Sequence, residues 1–94
     1  MRLERNLNAL TDRLNRAREE LRIVEEQILF QMDVVEETKV RMLVSETPLA
    51  DRDHDEARAD HLRMLKERER IQAEIAELQR EQDRLLDRML GSHT

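Results

Sequence analysis

Apolar side chains in the first half of this 94-residue chain recur every seven residues without a slip. Leu3, Leu7, Leu10, Leu14, Ala17, Leu21, Val24, Ile28, Gln31, Val35, Thr38 and Met42 alternate spacings of four and three, and ten of the twelve are apolar. A straight helix of 3.6 residues per turn would rotate such a stripe away from a partner, so a heptad held this long predicts a left-handed seam against a facing helix. The second half of the chain offers one. Ala50, His54, Ala57, His61, Met64, Arg68, Ile71, Ile75, Leu78, Gln82, Leu85 and Met89 keep the same spacing, with eight of twelve apolar.

The single proline and the single glycine mark the ends of the arms. Thr47 can cap a helix with its hydroxyl, and Pro48 suits the first helical position, where its missing N–H has no intrahelical partner. Gly91 suits the left-handed residue that closes many helices. These signals predict an all-α, single-domain antiparallel coiled-coil hairpin: helix 3–45, turn 45–47, helix 48–90 and a frayed tail 91–94. Each arm would be about 65 Å long at 1.5 Å per residue. A continuous helix kinked at Pro48 is the weaker alternative, because an interior proline costs about 3 kcal/mol and equal arms would be coincidence.

Folding the arms back sets residue i opposite residue 92 − i. Leu7 then meets Leu85, Leu14 meets Leu78, Ala17 meets Ile75 and Leu21 meets Ile71, an apolar run. Toward the turn the pairs become polar: Gln31 faces His61, Thr38 faces His54 and Arg68 faces Val24, while Gln82 faces Leu10. A local phase shift near residues 60–70 is expected from this mismatch and from Leu62 and Leu65 lying off the stripe. Isolated polar seam residues of this kind fix register or oligomer state.

A two-helix hairpin buries one stripe per helix, so apolar residues off the stripe are informative. From Ile23 to Val44 the first arm also carries Leu29, Phe30, Met32, Val34, Val40 and Leu43. A helix apolar most of the way round is a buried helix. Phe30 lies level with Leu62, with Leu65 one turn away, and Phe30, Val34, Leu62 and Leu65 are expected to form one patch. Burying side chains of this size is worth about 1.5–3 kcal/mol each. A homodimer in which two hairpins pack as a four-helix bundle is therefore expected, with Phe30, Val34, Leu62, Leu65, Leu29, Met32, Val40 and Leu43 as interface residues. A groove for a second protein is the sharper version of the same reading.

Composition argues against most other chemistry. The chain has no cysteine, 17 Lys and Arg against 22 Asp and Glu, and one aromatic side chain. Arg2, Arg5, Arg13, Arg16, Arg18 and Arg22, with Arg80, Arg84 and Arg88 beside them, could hold an anion, but interleaved acids and the lack of stacking rings argue against nucleic acid. No basic tail stands out. His54 and His61, with Asp51, Asp53, Asp55, Glu56 and Asp60 nearby, could bind a divalent cation, yet seven residues span about 10 Å of helix rise and make a poor chelate. No metal or cofactor is expected. Carboxylates abound, but two helices make no pocket to shift their pKa values, and there is no phosphate-cradling glycine loop, so an enzyme is not expected. The start, Met1-Arg2-Leu3-Glu4-Arg5-Asn6, has no apolar signal core, and no uncharged run nears the roughly 20 residues that span a bilayer. A cytoplasmic location is the default expectation.

In architecture the chain is similar to small coiled-coil hairpins, some of which sequester sigma factors or reach into RNA polymerase. The resemblance implies a protein-binding role and carries no motif that transfers residue by residue. The expected function is a scaffold, adaptor or regulatory binding module. The alternative is a ligand- or metal-responsive regulator, such as a transcription-machinery hairpin, sensing through the turn His and Asp groups or the Arg rows.

Overall fold

The computed structural model describes residues 2–91, which form two helices. Helix α1 spans Arg2–Ser45 and α2 spans Pro48–Leu90. Leu, Arg and Glu are abundant in both, and all lose little side-chain freedom in a helix. Ser92, His93 and Thr94, the rest of the expected frayed tail, lie outside the described residues.

The two-residue link works through two caps. Thr47 accepts a hydrogen bond on Oγ1 from the Ala50 N–H at 3.2 Å, while its carbonyl takes the Asp51 N–H at 3.1 Å. The expected N-cap is therefore in place, with Pro48 as first helical residue. The closing of α1 was not legible beforehand. Glu46 adopts a left-handed backbone, φ 52°, and its N–H donates to the Met42 carbonyl at 3.2 Å. This is the single-bond left-handed cap, normally a glycine position because a Cβ there costs about 1–2 kcal/mol. Glu46→Gly should raise stability by about 0.5–1 kcal/mol after the extra chain entropy of glycine is offset. Denaturant titration at unchanged slope would read this gain, and a loss would mean that Glu46 holds the turn by another contact.

Gly91 reverses one expectation. It has no positive φ, so it does not close α2 by the left-handed route. Glycine stands there because a Cβ would lie 2.7 Å from the Asp87 carbonyl oxygen, which accepts the Gly91 N–H.

Along their length the helices form two compact units. In unit 1, residues 2–21 pair with 70–91. Leu10, Leu14, Ala17 and Leu78 form its core, with Ile75 and Leu85 packed against them, and Ile71 is equally sealed from solvent. Unit 2, Arg22–Glu69, contains the link. Its buried apolar side chains are Val24, Ile28, Ala50 and Ala57, and Gln31, Thr38 and His54 are buried beside them. Within each unit the strands of contact run antiparallel and within about one turn of the 92 − i register. Thr11 meets Gln82 and Glu20 meets Arg70 in unit 1; Gln31 meets Ala57 and Thr38 meets His54 in unit 2.

All twelve heptad positions of each helix are buried or half-buried. The phase shift expected near residues 60–70 does not occur: Met64 and Arg68 stay half-buried on the stripe, and Leu62 stays exposed. Arg68 keeps the frame because its methylenes can line a seam while the guanidinium reaches water. No helix among the described residues is long and apolar enough to cross a membrane.

Candidate interaction surface

The polar seam of unit 2 is assembled by hydrogen bonds that the sequence only half indicates. Thr38 Oγ1 lies 2.8 Å and 3.0 Å from the Val34 and Val35 carbonyls of its own helix, and 3.2 Å from His54 Nδ1. A hydroxyl has one proton. Spent on the helix carbonyls, it leaves the Thr38 oxygen as acceptor and assigns the Nδ1–H tautomer to His54. The expected facing of Thr38 and His54 holds.

The expected facing of Gln31 and His61 does not become a bond. Gln31 Nε2 donates instead to the Ala57 carbonyl at 2.9 Å, one turn along, and His61 Nδ1 is buried with no hydrogen-bond partner. An unmet buried polar atom costs about 1–3 kcal/mol. His61→Leu should therefore stabilise the chain by about 1 kcal/mol, raising the melting temperature by about 4–8 °C. A lower melting temperature would show that His61 has a partner in the assembled protein. Similarly, Gln82 meets the Thr11 hydroxyl at 3.3 Å rather than Leu10.

The His and Asp cation site is not assembled. Among the described residues no three His, Asp or Glu side chains converge as a cation site, because His54 and His61 sit in the seam while the turn acids lie outside it. Of the Arg rows, Arg22, Arg80 and Arg84 stand in ion pairs with carboxylates. Arg80 and Arg84 reach Glu77 at 2.8 Å and 3.5 Å, and Arg70 reaches Glu74 at 3.4 Å and Glu20 at 3.9 Å. The hydrogen bond and charge of Arg80, aided by Arg84, hold the Glu77 carboxyl below its ordinary range.

What remains is apolar surface, and nearly all of it is in unit 2. Ile23, Leu29, Phe30, Met32, Val40, Leu43 and Val44 on α1 are exposed, as are Leu49 and Leu62 on α2. In unit 1 the exposed large apolar side chains, among the described residues, are Leu86 and Leu90. Heptad geometry sorts the residues of unit 2 by side. With Ile28, Val35, His54 and His61 at position a, and Val24, Gln31, Ala57 and Met64 at d, Met32 and Leu65 fall at e. Leu29, Leu43 and Leu62 fall at b, beside e. Val34 falls at g, with Ile23, Phe30 and Val44 at c beside it, and Val40 at f points away from the seam. In an antiparallel pair the e positions of both helices flank one side of the seam and the g positions the other.

The expected patch is therefore divided. Leu62 and Leu65 share a side with Leu29 and Met32, whereas Phe30 and Val34 lie on the opposite side. In keeping with this, Phe30 lines a shallow groove with Ile23, Glu26, Gln27, Gln31 and Met64, to which Leu62 and Leu65 do not contribute. Sequence pairing by level alone missed the split. Position letters could have shown it, because level and side are independent coordinates on a helix.

Fold and surface together define a class: an all-α two-helix hairpin with one unit whose large apolar side chains are mostly covered and one that exposes nine of them beside its buried seam. Comparison with protein-family models, with curated proteins and with solved structures gives no match for this chain. The functional reading therefore rests on these side chains.

Proposed function

We propose that this protein is a non-enzymatic coiled-coil interaction module that self-associates through unit 2 and acts as a scaffold, adaptor or regulatory binding protein. One observation carries the reading: Leu29 and Met32 of α1 lie on the same side of the seam as Leu62 and Leu65 of α2, at the same level. A four-helix bundle needs apolar residues from both helices of each hairpin beyond the a and d rows. The side with Leu29, Met32, Leu62 and Leu65 meets that need. Phe30, Val34 and Val40 then lie at the rim of the shared core or outside it, and Leu43 continues the Leu29 side toward the turn.

Light scattering behind size exclusion, with far-UV circular dichroism, tests this on the full chain at two concentrations. The expected result is a highly helical dimer whose share grows with concentration. A helical monomer at every concentration would overturn the self-association reading.

A further inference from the structure

The outward face of α1 in unit 2 carries a second stripe with the same three-four spacing as the seam. Ile23, Phe30, Val40 and Val44 are its apolar members, all exposed, with Phe30 at 70% and Val44 at 79%. Glu26, Asp33 and Glu37 occupy the positions between them. Over the span of the stripe, Ile23 to Val44, five carboxylates stand against two cations, Lys39 and Arg41, both at the end nearer the turn. Glu26 is held by Arg22 at 2.7 Å, whereas Asp33 and Glu37 have no ion-pair partner among the described residues. Shallow grooves open at both ends of the stripe, beside Ile23 and Phe30 and beside Glu37, Val40 and Arg41.

Unit 2 as a whole has the same character. It holds 13 Asp and Glu against 8 Lys and Arg, the entire net charge of −5, while the rest of the chain has nine of each. Exposed apolar surface and unbalanced acid thus coincide in one half of the molecule. An amphipathic helix with a seven-residue apolar repeat fits such a stripe by spacing, and basic residues between its apolar ones fit by charge.

A second copy fits it poorly. Two copies of the stripe packed antiparallel so that Phe30 meets Val40 would set Asp33 of each copy against Glu37 of the other, and like charges placed this way repel. The equivalent outward stripe of α2 offers only Leu49 and Ala59 as apolar members beside Arg52, Glu56, Arg63 and Lys66. We propose that the Ile23–Phe30–Val40–Val44 stripe, with Asp33 and Glu37, is a docking site for a basic amphipathic helix of another protein. It lies on a different side from Leu62 and Leu65, so this proposal and self-association can fail separately.

Two synthetic helical peptides of equal length test it, both with leucine in a heptad stripe, one flanked by lysine and one by glutamate. Binding to the full chain is followed by fluorescence anisotropy, with methyl resonances of Val40 and Val44 reporting location. The lysine peptide should bind about tenfold more tightly at low salt, an advantage of the size two exposed ion pairs can supply and one that salt should erode. Asp33→Lys with Glu37→Lys should invert the preference, Phe30→Asp should abolish binding, and Leu62→Asp should leave it in place. Equal affinity for the two peptides, no binding, no inversion on charge reversal, or methyl shifts confined to other faces would each overturn the assignment. Assembly of the chain into larger particles that Phe30→Asp disperses would overturn it in favour of a second copy.

Discussion

Leu14→Ala should lower the melting temperature by about 10–20 °C, the largest stability loss expected from any single truncation in this chain. Leu14 is 1% exposed at the centre of the unit 1 core, and removing its branch leaves a cavity that the flanking Leu10, Ala17 and Leu78 can close only in part. Leucine-to-alanine changes at such sites cost about 2–5 kcal/mol, against a total stability of about 5–10 kcal/mol for a chain of this size. Each kcal/mol moves the melting point of such a chain by about 4–8 °C. Leu29→Ala is the control. Leu29 is 66% exposed, and in the monomer its truncation should change stability by less than about 0.5 kcal/mol. Comparable losses from the two substitutions would mean that the seam does not carry the stability.

Leu62→Asp should weaken the dimer at least about a hundredfold, equivalent to about 3 kcal/mol, while leaving far-UV helicity within a few per cent. A carboxylate placed in the shared core would lose its water without gaining a partner, and twofold symmetry would introduce the penalty twice. In the monomer Leu62 is 56% exposed, so an aspartate there remains hydrated and costs only helix propensity. Phe30→Asp is the discriminating companion, since it lies on the other side of the seam and should leave the dimer intact. If Phe30→Asp split the dimer and Leu62→Asp did not, the bundle would use the opposite side. Sedimentation equilibrium at several concentrations distinguishes the outcomes.

Where the chain turns and which residues face inward were legible because both depend on local chemistry. Thr47 and Pro48 start a helix by rules that involve only a few neighbouring atoms, and the observed cap follows them. The 24 seam positions follow from a seven-residue period that any partner would have to respect. Even the burial of Arg68 obeys that period, although its charge suggested a break. The left-handed Glu46 was not legible, because nothing in its own chemistry favours that backbone; the closure of α1 three residues before Pro48 requires it.

The interaction surface divides along the same line. Sequence alone determined that residues 23–44 of α1 carry more apolar side chains than one seam can bury, since that is a matter of counting against a fixed period. Tertiary structure supplied the antiparallel seam that turns position letters into sides. Leu62 stands level with Phe30, yet the antiparallel seam places it beside Leu29 and Met32, because level comes from rise along the axis and side from rotation about it. Tertiary structure also decided that Gln31 bonds to Ala57 and leaves His61 Nδ1 unmet, a matter of side-chain reach across a particular interhelical gap. The period of the chain set what is buried, and the packing of one helix on the other set what the exposed remainder can meet.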